Sequence, residues 1–345
     1  MIITLLVLSL VIFYTITYFS PRQRAMMLVS PFSYSHPSFD VWQSIPEIIK
    51  MYHLDDPFYV QYIRWLKVLT EGSLGYSYLF NEWVSVLILQ SLPATLELIM
   101  YSTPIIVFGG IKIGVYSARC AHERKRREDP IDFIIRAVLA WAYSIPTFFA
   151  ALVLISIAFL SLHWLPLGRV GSPAYQFITS RQWISYTGLY TIDALLNGQF
   201  WVFLDALTRL VLPVLILTIS MLPVVAKVTR SSMLGELGKE YVITAKAKGL
   251  REVKAISHAK RNAMISILTI SSTLISSMLT GIVITEFIFD TKGIGWLVTR
   301  AAGGGYGRFD FALLAGLSVF FCVIFVIVNL IVDIIYTYID PRVKL

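Results

Sequence analysis

Residues 238–263 read GKEYVITAKAKGLREVKAISHAKRNA and gather Lys239, Lys246, Lys248, Arg251, Lys254, Lys260 and Arg261 between long apolar stretches. Glu236 and Glu240 stand ahead of Lys246 and Lys248, the order of charge that suits a helix dipole. Gly249 is a helix-ending residue, and Leu250 offers the apolar contact that often follows such an end. The pattern predicts a short helix, a glycine corner, and a second helix over about 251–262 that runs into an apolar span. Two kinds of chemistry fit this basic island. Small Ala245 and Ala247 let another protein's backbone approach a short helix closely. Alternatively, the island is a solvated basic loop whose charge sets membrane topology.

Other reactive patterns are missing from the sequence. No G-x-x-x-x-G-K-[ST] phosphate cradle occurs, so the chain carries no nucleotide motif of its own. Gly293-Ile294-Gly295 is a turn signal, His122-Glu123 lacks the second histidine of a zinc helix, and no G-x-S-x-G elbow is found. Nothing points to catalysis or to a metal site. The net charge of +8 would raise the question of nucleic acid in a water-soluble protein. Here it reads as a positive-inside bias, and no nucleic-acid partner is implied.

The elements that must position the island are set by composition. Hydrophobic residues make up 57% of the chain and charged residues 14%, against about a quarter charged in an ordinary soluble domain. The mean hydropathy is +0.71. This is an all-α integral membrane protein with about six transmembrane helices, expected near 2–19, 96–118, 134–160, 208–227, 264–289 and 311–337. The first of these reads as an anchor helix, with a cleaved signal peptide as its rival; no basic n-region precedes it and no A-x-A site follows.

The expected organisation is a first helix plus extracytoplasmic segment (1–95), a transmembrane core (96–337) containing a cytoplasmic loop at 228–263, and a cytoplasmic tail (338–345). Arg119, Arg124, Lys125, Arg126, Arg127 and Arg136 crowd the loop between the second and third spans, and the island crowds the one between the fourth and fifth. The positive-inside rule places those loops, and both termini, in the cytoplasm. Arg22 and Arg24 run against that orientation. The outer segments are 20–95, where Tyr59, Ile63, Leu66 and Leu69 recur at helical spacing, and 161–207, rich in Trp, Tyr and Gln. Aromatics such as Trp183, Tyr186, Tyr190 and Trp201 fit either an interfacial belt or a cap over a solute path.

Charges inside or near the spans are few: Glu97, Lys112, Asp205, Arg209, Glu286 and Asp333. Lys112 can snorkel, and the others are expected to anchor at the interface or pair locally. Without a mid-membrane carboxylate chain, an ion-gradient-driven secondary transporter is the weaker alternative.

The island and its surroundings resemble a known family. EYVITAKAKGL (240–250) followed by HAKRNA (258–263) is similar to the EAA loop of ABC importer permeases. The wider likeness is to the B-type permease of the dipeptide, oligopeptide and nickel class. It rests on HLDDPFYVQYIRWL (53–66), GSLGYSY (72–78), SLPATLEL (91–98), SIPTFF (144–149), LVLPVLIL (210–217), TRSSMLGELGKEYVITAKAKGL (229–250), ITEFIFDTKGIGWL (284–297) and DIIYTYIDPRVKL (333–345), in that order.

The resemblance implies the ABC type I importer permease architecture, with a cytoplasmic coupling helix and extracytoplasmic loops. It implies that Glu240, Tyr241, Ala245, Lys246, Ala247, Lys248, Gly249 and Leu250 contact an ATPase. It implies a non-catalytic transport subunit in the plasma (inner) membrane that binds no cofactor itself, ATP and Mg belonging to partner subunits. The implied partners are a second homologous permease, one or two ABC ATPases, an extracytoplasmic substrate-binding protein and membrane lipid. Short peptides are the expected solute, with oligosaccharides the other possibility; no substrate-binding residue is assigned. The chain departs from the family pattern at Ser266, where a proline is common, at SPRQRAM (20–26), which replaces a proline-and-acid motif, and over 171–207, which matches no motif.

Overall fold

The computed structural model describes residues 18–26, 41–123, 129–303 and 309–339, with Val7, Leu10, Val11 and Tyr14 near the N-terminus. Most of the expected first span, Arg124–Arg127, and the last residues of the tail lie outside them. Among the described residues the elements are α1 (Val41–Met51), α2 (Phe58–Thr70), a small hairpin of β1 (Tyr76–Ser77) and β2 (Glu82–Trp83), α3 (Val84–Glu123), α4 (Pro130–Ser144), α5 (Thr147–Leu154), α6 (Ser172–Ile178), α7 (Tyr190–Leu196), α8 (Phe200–Leu237), α9 (Glu240–Ala247), α10 (Glu252–Phe289), α11 (Ile294–Ala301) and α12 (Phe311–Ile339). They group into two compact units. One holds residues 1–93 and 292–326; the other holds 94–291 and 327–345.

The first unit is built around Val84, Leu87, Ile88, Ile294, Leu297, Ala301, Leu313 and Leu317. Its polar fastener is Asp310, only 7% exposed. The Asp310 carboxylate accepts from Ser77 Oγ at 2.6 Å and from Leu79 N at 3.3 Å. It also caps α12 by accepting from Leu313 N at 2.9 Å, satisfying a donor that the helix start leaves open. The hairpin is thereby tied to the start of α12. In α2, the stripe predicted from Tyr59 and Ile63 does form a helix, but the helix has no buried residue. Tyr59 and Ile63 are exposed. The helix is held instead by Arg24, which donates to Gln61 Oε1 at 2.8 Å and to Leu54 O at 2.5 Å. Arg24 is thus employed as a structural donor to a loop carbonyl, which accounts for a cation that the topology rule alone disfavours.

The second unit contains α8, α10 and most of α3. Among the described residues α3, α8 and α12 are long and apolar enough to cross a membrane, and α4 with the segment after it forms a bent pair. A helix of 40 residues such as α3 is about 60 Å long, roughly twice the hydrocarbon thickness. The expected spans 96–118, 208–227 and 264–289 lie inside the longer helices α3, α8 and α10.

The segment expected as a span over 134–160 is sharply bent. α4 ends at Ser144, α5 starts at Thr147, and the axis turns by 94° between them. Pro146 lacks an N–H and forces the residue before it out of the helical region. Ile145 is accordingly extended, at φ −84° and ψ 124°. After α5 the chain winds as a π-helix over Ile155–Ser161.

Close helix crossings replace hydrophobic pressure as the source of cohesion in lipid. α8 packs along α10, where Ala255, Ala259 and Ala263 recur every fourth residue and are buried. α3 meets α8 at Gly110 and Gly114. A Cβ on Gly110 would lie 2.7 Å from Val225 Cβ, and one on Gly114 would lie 2.5 Å from both Ala226 O and Thr229 Cβ. The backbones touch there only because both side chains are hydrogen. Replacing Gly114 by Leu is expected to cost about 1–3 kcal/mol through overpacking, read as a lower thermal-unfolding midpoint in detergent, with Gly114→Ala intermediate. An unchanged midpoint for Gly114→Leu would mean that the helices stand farther apart.

Candidate functional site

The island folds as a helix, a corner and a helix. α9 takes Glu240 in its first turn. It ends in a left-handed turn in which Gly249 has φ +83°. There Leu250 N–H donates to Ala245 O at 3.1 Å and Lys248 N–H donates to Thr244 O at 3.0 Å, the bonds that close a helix end. Among the described residues nothing lies within 4 Å of a Cβ built on Gly249, so glycine is required there by backbone angle and not by crowding. Arg251 then extends, at φ −60° and ψ 143°, as the residue from which α10 starts, without a side-chain bond to the helix end. α10 runs on through Ser266 without a break, so the departure from the family's proline leaves the helix continuous.

Two fasteners fix α9. Val242 is 1% exposed and sits with Met233, Leu237, Ala255, Ile256 and Ala259, residues from α8 and α10. Glu236, in the last turn of α8, accepts from Lys239 Nζ at 2.6 Å and from Tyr241 OH at 2.8 Å. The hydrogen bond to Glu236 holds the Lys239 ammonium above its ordinary range. Burial, and then the same carboxylate, raise the Tyr241 hydroxyl. Both remain donors at neutral pH, so the joint between α8 and α9 is closed under physiological conditions.

With Val242 turned inward, the opposite face is open. Glu240, Tyr241, Ala247, Lys248 and Gly249 are exposed, while Ala245 and Leu250 are partly covered. Lys246 lies within α9. Ile243 and Thr244, which the sequence pattern does not single out, are also exposed, Ile243 at 61%. A signal for them exists: Glu240, Ile243, Thr244 and Ala247 follow i, i+3, i+4, i+7 spacing and share one face once Val242 is taken as the anchor. The outcome is a short helix that presents Ile243 and the ring of Tyr241 among small and charged side chains.

Behind α9 lies a buried polar cluster that the sequence does not reveal. Asp132, in the first turn of α4, is 3% exposed. Arg230 of α8 grips it with two bonds, Nε at 2.8 Å and Nη2 at 2.7 Å, the bidentate geometry that makes such pairs strong. Ser117 of α3 donates to the same carboxylate. Arg136 Nε approaches it at 3.2 Å. Three helices thus meet on one carboxylate, about two turns of α8 before α9. The partners are 98 residues apart in sequence, and no local spacing announces the pair.

Toward the other end of α3, Glu97 is 1% exposed. It accepts from Thr191 N and Oγ1, each at 2.7 Å, and from Arg169 at 3.3 Å. Arg169 also donates to Gly188 O at 2.6 Å. Its guanidinium stands 3.7 Å over the Tyr190 ring, close enough for a cation–π contact. Asp205 pairs with Arg209 and accepts from Gly171 N at 2.6 Å. Glu286 accepts from Thr95 Oγ1 at 2.6 Å. The charges noted near span ends are therefore paired, as local pairing requires. Asp333's side chain lies outside the described residues. Among the four outer aromatics, Tyr190 is committed to Arg169, Trp183 and the half-exposed Trp201 both pack edge-on against Phe177, and Tyr186 is exposed.

Removing the Asp132 side chain leaves Arg230 without its bidentate partner. Asp132→Ala is expected to destabilise the fold by about 2–4 kcal/mol, because a half-buried cation is left unpaired. Asp132→Ala with Arg230→Met should recover part of that loss in a double-mutant cycle. Strictly additive effects would show that the two groups do not interact.

Comparison with known proteins places this geometry. Residues 110–345 match the family described as binding-protein-dependent transport system inner membrane component. The chain is 34% identical to the di/tripeptide transport system permease protein DppB of Pseudomonas aeruginosa, covering 84% of this chain and 82% of that protein. It is 33% identical to the oligopeptide transport system permease protein AppB of Bacillus subtilis, covering 86% and 84%. The dipeptide transport system permease protein DppB of Escherichia coli K12 is 31% identical, covering 84% and 82%. Among solved structures, an inward-facing MetNI methionine ABC transporter chain aligns with a TM-score of 0.52 at 12% identity, over 74% of this chain and 97% of that one, a likeness of fold. The chain belongs to the family of binding-protein-dependent transport system inner-membrane components, and it is a multi-pass membrane protein of that family.

Proposed function

We propose that this chain is one permease half of an ATP-driven importer for short peptides. It is non-catalytic. A second, homologous permease completes the solute path, one or two ABC ATPases bind on the cytoplasmic side, and an extracytoplasmic binding protein delivers the peptide. ATP and Mg are held by the ATPases, and both termini of this chain face the cytoplasm. The peptide specificity rests on relatives named for dipeptides, tripeptides and oligopeptides.

The observation that carries the mechanism is the presentation of α9. Its inner face is seated between α8 and α10 by Val242, and its outer face is bare. In the proposed cycle, ATP draws the two ATPases together and they displace α9. A helix fastened by both Val242 and Glu236 passes that displacement to α8 and α10 together. Glu240, Tyr241, Ile243, Thr244, Ala247 and Lys248 form the contact, and Gly249 supplies the corner that lets α9 lie across the end of α10. Hydrolysis resets the assembly.

Two measurements test this. Burying an Ile side chain contributes about 1.5–3 kcal/mol, so Ile243→Asp is expected to weaken ATPase co-purification by tenfold or more while the chain still inserts in the membrane. Glu240→Lys should weaken it less. Co-purification unchanged in Ile243→Asp would remove α9 from the ATPase interface. Separately, Gly249→Asp forces a side chain into a left-handed backbone at about 1–2 kcal/mol. Peptide uptake should fall strongly with membrane levels preserved; normal uptake would refute the coupling role.

A further inference from the structure

We propose that a groove bounded by α3 and α4 binds an anionic phospholipid of the cytoplasmic leaflet, an inference that rests on the cytoplasmic orientation of the island. The groove has a volume of about 1020 Å³. Its walls are apolar, with Phe108, Ile134 and Val138 exposed along it, and three cations line it: Lys112, Arg119 and Lys260. Phe108, Lys112 and Arg119 follow i, i+4, i+11 spacing and share one face of α3, while Ile134 and Val138 share one face of α4.

The charge is one-sided. Among the described residues no carboxylate lines the groove, so a zwitterionic headgroup would find no counter-charge for its ammonium. Nor do the ion pairs of this unit absorb the two lysines. Among the described residues those pairs join Arg136 and Arg230 to Asp132, Arg169 to Glu97, Arg209 to Asp205, and Lys239 to Glu236. Lys112 lies seven residues before Arg119, about 10 Å deeper along the helix. An ammonium at that depth is costly in hydrocarbon unless it snorkels or meets an anion. A lipid phosphate near Arg119 and Lys260 gives the Lys112 ammonium an anion toward which its long stem can snorkel.

The size and shape agree. The volume stands at the upper end of the about 300–1,000 Å³ usual for small-molecule pockets. An acyl chain continuing from the phosphate runs toward Phe108 and Val138, away from the basic end, so both parts of the amphiphile are matched. Basic pockets between spanning helices on the cytoplasmic side are a known setting for anionic headgroups.

The test uses the whole purified assembly in nanodiscs, with photoactivatable phosphatidylglycerol or phosphatidylcholine as the probe. Labelled peptides are mapped by mass spectrometry in the natural sequence and in Lys112→Gln with Lys260→Gln. The expected result is preferential labelling by phosphatidylglycerol within 108–119 and 134–138, with the preference reduced roughly 30-fold in the double variant. Equal labelling by the two lipids, or a preference untouched by the double variant, would overturn the proposal. So would efficient disulfide cross-linking of Phe108→Cys to a cysteine in the partner permease, since the groove would then be a subunit interface. ATPase co-purification in the same samples reports separately on the importer reading.

Discussion

Hydrocarbon supplies no hydrogen bonds, so every polar group placed in it must bring its partner along. The same demand governs the buried polar groups of the second unit, whether within an expected span like Glu97 and Glu286 or just outside one like Asp132. Glu97, Asp132 and Glu286 are almost completely covered, and each is met by a donor from a different helix or segment. A pairing of this kind does more than neutralise charge. Asp132 joins α3, α4 and α8, and Glu97 joins α3 to the outer segment through Thr191 and Arg169. Each buried carboxylate is therefore a fixed point, and the helices between such points are located in space by them. Apolar surface alone cannot do this in lipid, where a leucine is as well solvated by acyl chains as by another helix. Small residues add cohesion by close approach, at Gly110 and Gly114 within the expected span of α3 and, outside the expected spans, at Ala255, Ala259 and Ala263 in the island end of α10.

The parts of this arrangement that are local in sequence are legible in it. Apolar runs mark the spans, because about twenty apolar residues are what a bilayer demands. The corner at Gly249 is legible because a left-handed turn after a short helix selects glycine. What escapes reading is non-local or geometric. Nothing near Asp132 names Arg230 as its partner. Nothing in GGIKIG names Val225 and Thr229 as the groups it must clear. The bend at Ile145-Pro146 sits inside an unbroken hydrophobic run, and hydropathy averages over it. Pro146 is the available signal, since a proline removes a donor and extends its predecessor. Within the island itself, the residue types are read by likeness, and Ile243 is missed because no anchor defines which face is outward. Val242 defines it.

The placement of the Asp132 cluster gives the unit a mechanical character. α8 carries Arg230 and, two turns on, the Glu236 that holds α9. Any rotation of α9 about its seat is felt at Glu236 and Val242, then along α8 at Arg230, and there by α4 and α3. A cluster fastened by bidentate and side-chain bonds resists small displacements and gives way only by exchanging partners.

Energetics then decide how much of α9's face must act. In the proposed cycle a partner can shift the permease between two conformations only by binding them unequally. Moving the populations from 1:99 to 99:1 takes about 5.5 kcal/mol of difference. A single surface ion pair made by Glu240 or Lys248 contributes about 0–1 kcal/mol. Burial of Ile243 adds about 1.5–3 kcal/mol. No one of these contacts suffices; together they supply about 1.5–5 kcal/mol, so the rest of the α9 face must contribute as well, and the contacts must be made or lost as a unit. That condition is met only if α9 moves as a rigid body. Its rigidity comes from the inward side, from Val242 packed between α8 and α10 and from Glu236 holding Lys239 and Tyr241. The buried face of the helix thus sets what the exposed face can accomplish.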